Sequence, residues 1–204
     1  MKEIPIILLA AGQSCRMGGT DKLMQPVGGV PLLRRVAQRA IAVGPVFVAL
    51  PPMPHPRYTV LKDLDVLPVE IPDAREGINA SLKGAMAAIP ADAKAVMILL
   101  SDLPDLTTAD LRNVLQSVKT HPANRIWRGA TNQGVPGHPV IFDRSLFAEL
   151  IDLTGDSGAQ SVVRRHKDAV HLHRLPSQNA LLDLDTPEDW AEWVARQPSG
   201  LHPK

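Results

Sequence analysis

Several features that define whole classes of protein are scarce in this chain of 204 residues. One cysteine excludes a framework of internal disulfides and is compatible with a reducing environment, so we expect a cytoplasmic protein. No apolar run is long enough to cross a membrane, and the short one near the N-terminus continues into a glycine-rich loop, which is not typical of a signal peptide. We therefore expect neither export nor a membrane partner.

An excess of charge of one sign is also missing. Lysine and arginine number 22 against 21 aspartates and glutamates, and the formal net charge is +1. Since no basic cluster with interleaved aromatic residues occurs either, we expect no nucleic-acid partner. Aromatic residues make up only 3% of the chain, so the core must be built mainly from aliphatic side chains and methionine. The length predicts a single domain over residues 1–204.

Apolar segments of strand length alternate with segments of helical period. The predicted strands are Ile4–Ala11, Val46–Leu50, Val66–Ile71, Ala95–Leu100 and Arg125–Ala130. The predicted helices are Pro31–Val43, Asn79–Ala88, Thr108–Val118 and Pro187–Arg196. Several of these strands are apolar on both faces, which is typical of a parallel sheet covered by helices on each side. The predicted fold class is therefore α/β, a doubly wound, mostly parallel sheet with helices on both faces.

The stretch Leu8–Lys22, LLAAGQSCRMGGTDK, is the most informative part of the chain. An apolar strand runs into a loop whose glycines permit sharp turns, so that successive backbone N–H groups can point at one anion. Arg16 and Lys22 add positive charge beside them, a combination that suits the triphosphate of a nucleotide. The loop is neither a P-loop nor a dinucleotide fingerprint, because neither spacing occurs. The alternative is an ordinary surface turn with two solvated cations.

The order of residues in this loop resembles the N-terminal signature of the molybdenum cofactor nucleotidyltransferases. Further blocks resemble the same family in the same order, namely LLSDLP at Leu99–Pro104, GHPVIF at Gly137–Phe142, LTGDSGA at Leu153–Ala159 and DLDTPED at Asp183–Asp189. The GHP and GDSGA blocks, together with the Pro-Leu-Leu after the loop, are similar to the cytidylyltransferase branch. The Gly-Gly-Thr-Asp-Lys segment is instead similar to the guanylyltransferase version.

This resemblance implies a Rossmann-like nucleotidyltransferase fold and an Mg²⁺-dependent reaction. A nucleoside monophosphate would pass from an NTP to molybdenum cofactor with release of pyrophosphate, and CTP is favoured over GTP. Three alternatives stay open: a guanylyltransferase, a nucleotide-sugar-type pyrophosphorylase with another phosphorylated small-molecule acceptor, and a non-catalytic cofactor carrier. A molybdoenzyme or an insertion chaperone is the expected protein partner.

The same resemblance gives the residues around the nucleotide. Arg16 and Lys22 are expected to contact the phosphates and to act where negative charge grows on the leaving pyrophosphate. Together with Asp102 they form the expected catalytic set. Asn79 and Ser81 are expected to face the nucleobase, or alternatively to cap the helix that they begin. The remaining expected nucleotide contacts are Leu9, Ala10, Ala11 and Gly12.

Carboxylates near the phosphates are the candidate metal ligands. Asp102 ends an apolar strand, and ligands of open α/β sheets bind outside the carboxyl ends of strands, so it is the first expected Mg²⁺ ligand. The alternative is a turn or cap aspartate. Asp183 and Asp185 alternate on a predicted strand over Ala180–Asp185, which puts both carboxylates on one face. Asp183 is the preferred second ligand, since Asp185 is expected to cap the final helix, but the family pattern leaves both open.

The acceptor is expected to bind in the carboxyl-terminal third of the chain. His138 stands in a rigid Gly-His-Pro segment and is a candidate donor to the pterin or its phosphate, unless it is an exposed loop histidine. Gly155 and Asp156 belong to a turn whose backbone N–H groups suit a phosphate, or which is simply a capped turn.

Overall fold

A seven-stranded sheet forms the centre of the computed structural model, which describes residues 4–13, 17–154 and 158–196. The strands within these residues are β1 (Ile6–Leu9), β2 (Pro26–Val27), β3 (Val30–Pro31), β4 (Val46–Leu50), β5 (Val66–Glu70), β6 (Ala95–Leu100), β7 (Ile126–Ala130), β8 (Pro136–Asp143) and β9 (Val170–Arg174). The main sheet has the order β5-β4-β1-β6-β8-β7-β9, and β2 and β3 form a separate ribbon.

The sheet is parallel except at one strand. β4, β5 and β6 run parallel to β1, and β9 runs parallel to β7. β8 is antiparallel to both of its neighbours, β6 and β7. The predicted mostly parallel sheet is thus confirmed, and the carboxyl ends of β1, β4 and β6 meet at one edge.

Helices cover both faces of this sheet. They are α1 (Leu32–Ile41), α2 (Pro56–Thr59), α3 (Ile78–Ala87), α4 (Thr108–Thr120), α5 (Phe147–Ile151), α6 (Gln160–Arg165) and α7 (Pro187–Arg196). α4 begins with a capping box, in which the Thr107 hydroxyl accepts from the Asp110 N–H and the Asp110 carboxylate accepts from the Thr107 N–H. No helix in the described part of the chain is both long and apolar enough to span a membrane.

The core lies in two layers, one on each face of the sheet, and β1 contributes to both. Ile6 and Leu8 belong to the layer beneath α1, α4 and α7, whereas Ile7 and Leu9 belong to the layer beneath α3, α5 and α6. All four side chains are at most 9% exposed. Each buried aliphatic side chain of this size stabilises the fold by roughly 1.5–3 kcal/mol, which holds β1 firmly at the centre of the sheet.

The strand predicted over Ala180–Asp185 is wrong. The N–H groups of Leu181 and Leu182 both donate to the carbonyl of Gln178, so this segment begins as a turn, and none of its residues belongs to a strand. The apolar residues of this segment have a different explanation, because Ala180 and Leu184 are fully buried in the core although the segment is irregular.

Candidate active site

A cleft of about 420 Å³ opens at the carboxyl ends of β1 and β6. This volume lies within the roughly 300–1,000 Å³ that is usual for small-molecule sites. Residues of the predicted nucleotide site line it, among them Leu9, Ala10, Ala11, Gly12, Lys22, Ser81 and Asp102, and Asp185 joins them. The parallel topology therefore brings together segments from both ends of the chain.

Lys22 joins two carboxylates at the floor of this cleft. Its Nζ donates to Asp102 Oδ2 and to Asp185 Oδ1, both at 2.6 Å. Each of the three side chains is less than a fifth exposed. Burial works to lower the pKa of Lys22, but the carboxylates of Asp102 and Asp185 outweigh it, so the pKa of Lys22 is raised. Lys22 is therefore a fixed positive charge.

Asp102 and Asp185 are positioned by the chain on either side of them. Ser101 Oγ donates to the Leu9 carbonyl at 2.6 Å, which ties the end of β6 to the end of β1. The Leu184 N–H donates to the Asp102 carbonyl at 3.3 Å, and the Leu184 side chain is fully buried. A buried residue next to each carboxylate thus holds the pair in place.

Asp185 does not cap the final helix, contrary to the prediction. Thr186 does so, because its Oγ1 accepts from the Asp189 N–H at 3.1 Å. The Asp189 carboxylate accepts in return from the N–H groups of Thr186, at 2.8 Å, and Asp185, at 3.2 Å. The Thr-Pro-Glu-Asp sequence is a capping-box pattern that identifies Thr186 as the cap. Asp185 is therefore left to face Lys22.

The donor set at Asp102 fits a magnesium ion. Asp102 Oδ1 is buried and has no hydrogen-bond partner among the described residues, which is costly for a carboxylate oxygen unless a ligand meets it. No group of three or more metal-binding side chains occurs in the described part of the chain. Mg²⁺ needs only one or two carboxylates, with phosphate oxygens and waters completing its shell.

Asp183 lies close to this pair but outside the lining of the cleft. Its side chain is exposed, and its pKa is raised, first by partial burial and then by the carboxylates of Asp185 and Asp102. Its role as second metal ligand stays a prediction, whereas Asp185 is the second carboxylate that contacts Lys22.

Arg57 belongs to the site although no motif of the sequence predicts it. It follows a proline-rich loop, yet its side chain is only 2% exposed. Its Nε and Nη2 donate to the two carboxylate oxygens of Asp21, at 2.8 and 2.7 Å, and its Nη1 donates to the Ala10 carbonyl at 2.6 Å. Asp21 also accepts from the Leu23 N–H at 3.0 Å. Arg57 thus fixes the residue next to Lys22 against the end of β1.

Of the two residues predicted to face the nucleobase, the cleft includes Ser81 but not Asn79. α3 begins at Ile78 after Gly77, whose φ of 101° favours glycine, so neither residue caps the helix. Ser81 Oγ instead donates to the Gly77 carbonyl at 3.5 Å. Contact with a base stays a prediction for both residues.

His138 lies on β8 and is only partly exposed, so it is not an exposed loop histidine. It lines a second cavity of about 110 Å³ that shares Leu9, Ile78 and Leu100 with the cleft. Burial, followed by the charge of Arg128, lowers the pKa of His138 to about 4, so the imidazole is neutral at physiological pH. Arg16, Gly155 and Asp156 lie outside the described residues.

Residues 6–170 match the family profile described as the MobA-like NTP transferase domain. The chain belongs to this family. The family resemblance predicted from the motifs is thereby confirmed, and so is nucleotidyl transfer as the class of activity. The cytidylyltransferase branch is not confirmed.

The chain is also similar to individual proteins of known sequence or structure. The chain is 30% identical over 201 residues to a probable molybdenum cofactor guanylyltransferase of Trichormus variabilis, covering 94% of this chain and 90% of that protein. It is 32% identical over 123 residues to the bifunctional protein GlmU of Leifsonia xyli, covering 56% of this chain but only 24% of that protein. The structure of Rv0371C of Mycobacterium tuberculosis in complex with manganese has a TM-score of 0.78 and 26% identity, covering 96% of this chain and 100% of that one.

Proposed function

We propose that this member of the MobA-like family transfers GMP from GTP to molybdenum cofactor, with Mg²⁺ and with release of pyrophosphate. The observation that carries the proposal is Lys22 held between Asp102 and Asp185 in a cleft bordered by the glycine-rich loop. A relative named as a molybdenum cofactor guanylyltransferase, aligned over nine-tenths of its length, favours GTP over the CTP indicated by the GHP and GDSGA blocks.

The charges of the cleft support a metal-bound triphosphate. Asp102 and Asp185 offset the charges of Lys22 and Arg75 among the described residues that line the cleft, so these side chains offer a triphosphate no net positive charge. Asp102 Oδ1 would hold the ion, and Mg²⁺, when bound, would supply positive charge there and neutralise phosphate oxygens. The structure of the similar Mycobacterium tuberculosis protein in complex with manganese also supports a divalent cation here.

The side chains of this chain act by binding and orientation. Lys22, fixed by its two carboxylates, presents positive charge beside the loop, where it stabilises the charge that develops on the leaving pyrophosphate. The acceptor's own phosphate supplies the attacking oxygen, which forms the new bond to the α-phosphorus as the bond to the β-phosphate bridge breaks. No side-chain nucleophile is needed.

The direct test is pyrophosphate release from each of the four NTPs, with and without molybdenum cofactor. We expect release only with GTP and the cofactor together. Release with CTP would return the assignment to the cytidylyltransferase branch. Release with a sugar 1-phosphate in place of the cofactor would support the alternative of a nucleotide-sugar-type pyrophosphorylase. No release with any combination would favour a non-catalytic carrier.

A further inference from the structure

The second cavity contains a cation, Arg128, that pairs with no carboxylate among the described residues. Most of its wall is apolar, but the side chains of Arg128, His138 and Gln160 reach it. Its volume of about 110 Å³ is well below the roughly 300–1,000 Å³ of pockets that enclose a whole ligand. Because it shares walls with the nucleotide cleft, it is suited to receive one end group of a molecule that also enters the cleft.

Arg128 is held in place by neutral acceptors. Its Nε donates to the Gly137 carbonyl at 2.7 Å, its Nη1 to Gln160 Oε1 at 3.2 Å, and its Nη2 to the Pro136 carbonyl at 3.5 Å. A guanidinium has five N–H donors, so donors remain after these three bonds. No carboxylate forms an ion pair with it within the described residues, and burial alone lowers the pKa of Arg128.

The backbone around Arg128 determines the direction of its side chain. The register between β7 and β8 shifts between Arg128 and Ala130, and such irregularities redirect side chains. Gly129 allows the strands to approach here, because a Cβ at this position would lie 2.5 Å from the His138 carbonyl oxygen. His138 Nδ1 is buried in the same region and has no hydrogen-bond partner among the described residues.

An arginine that is half-buried, held in one orientation and paired with no carboxylate in the described part of the chain is suited to bind an anion, since its forked donors match the geometry of oxyanions. We propose that Arg128, with Gln160 orientating it and His138 beside it, binds an oxyanion of the acceptor. This inference rests on the proposed function for the identity of the acceptor. The existence of the oxyanion subsite can be measured without it.

The probe is inorganic phosphate, titrated calorimetrically into the whole protein with Mg²⁺ and a non-hydrolysable GTP analogue already bound, so that the nucleotide site is filled. We expect the wild type to bind phosphate, and Arg128→Gln to bind it roughly tenfold or more weakly, the scale of one lost hydrogen bond between charged groups. Arg125→Gln is the matched control, because Arg125 is exposed and its Nη2 contacts His166.

Gln160→Glu separates anion binding from a purely structural role. It puts a carboxylate next to Arg128 Nη1, which neutralises the cation while keeping or strengthening the contact. We expect this variant to retain its melting temperature and yet to lose phosphate binding as Arg128→Gln does. Phosphate binding unchanged in Gln160→Glu, or absent in the wild type, would overturn the subsite.

Turnover distinguishes failure of this inference from failure of the proposed function. If the wild type transfers GMP, Arg128→Gln should raise the KM for the acceptor roughly tenfold or more and leave GTP affinity within about twofold.

If no nucleotide binds to the wild type, the proposed function fails, and the phosphate titration is made on Lys22→Ala, which removes the predicted triphosphate contact. Loss of phosphate binding on adding Arg128→Gln to that variant would still support the subsite, and no loss would overturn it.

Discussion

Lys22 and its two carboxylates set the chemistry of the cleft at the scale of single residues. Lys22 would stay paired if either carboxylate were removed, so its pairing alone does not explain why two carboxylates are present. The unpartnered Oδ1 of Asp102 distinguishes it from Asp185 and is the atom to which a metal ion would bind. The two carboxylates therefore have different expected roles despite their symmetrical contacts with Lys22.

Asp102→Asn should abolish turnover while the fold survives. The amide keeps the shape of the side chain but loses the charge that would hold Mg²⁺, and losses of about a hundredfold or more in kcat are typical of one electrostatic contact to the transition state. Steady-state kinetics at saturating Mg²⁺, with circular dichroism as the control for folding, measure this. Activity near that of the wild type would remove Asp102 from the metal site.

Lys22→Met should strengthen Mg²⁺ binding in the absence of nucleotide, even as it weakens NTP binding. Without the ammonium, Asp102 and Asp185 repel each other, and a divalent cation relieves this repulsion. The rise in melting temperature with added MgCl₂ should therefore be larger in the variant than in the wild type. An equal rise in both proteins would mean that the ion binds elsewhere.

At the scale of elements, the site depends on how the loop after β1 is tied to the sheet. Arg57, at the start of α2, links Asp21 to the end of β1 and so determines where Lys22 stands. No sequence pattern could have predicted this contact, because the partners are 36 positions apart and only the folded chain brings them together. The sequence did predict the loop itself, because its glycines and cations are contiguous.

Arg57→Met should raise the KM for the NTP more than it lowers kcat, since it displaces the loop without removing a reacting group. The loss of stability should fall below the roughly 3–5 kcal/mol of a fully buried ion pair, because Asp21 is 24% exposed. Arg34→Met is the control, because it makes the same change at an arginine that pairs with the exposed Asp63. Equal effects of the two changes on KM would contradict a positioning role.

This ion pair also has a defined pH dependence. Burial works to raise the pKa of Asp21, but the contacts with Arg57 and with the Leu23 N–H together outweigh it, so the pKa is lowered from 3.8. A carboxyl whose pKa is lower in the folded state stabilises the fold above its unfolded pKa, and this contribution disappears as the pH falls through the folded value. The difference in unfolding free energy between the wild type and Arg57→Met should therefore be constant near neutral pH and shrink below about pH 4. If this difference in unfolding free energy did not depend on pH, the ion pair between Arg57 and Asp21 would be excluded as its source.

At the scale of the whole molecule, the parallel topology explains why distant segments meet. Apolar strands, caps and glycine-rich turns predicted the sheet and the cleft, because those signals are local. Asp185 was misassigned because its position depends on Leu184 being buried against a turn, and a buried irregular segment has the same apolar pattern as a strand. The period of the apolar residues alone cannot distinguish a strand from a buried irregular segment.

GTP should stabilise the protein against thermal unfolding more than CTP does. A ligand at a hundred times its Kd adds about 2.7 kcal/mol, and 1 kcal/mol shifts the melting temperature of a protein of this size by about 2–4 °C. With Mg²⁺, GTP should therefore raise the melting temperature by several degrees more than equal concentrations of CTP. A larger rise with CTP would favour the cytidylyltransferase branch without any need for the acceptor.

The central claim is that the cleft at Lys22, Asp102 and Asp185 is the site of nucleotidyl transfer. Asp185→Asn and Asp183→Asn form a matched pair, since the two carboxylates are two positions apart and only Asp185 contacts Lys22. The measurement is kcat for pyrophosphate release from GTP with Mg²⁺ and molybdenum cofactor. The account predicts a fall of about tenfold or more in Asp185→Asn, and a comparable fall in Asp183→Asn if that carboxylate is the second metal ligand. A normal rate in Asp185→Asn would contradict the account.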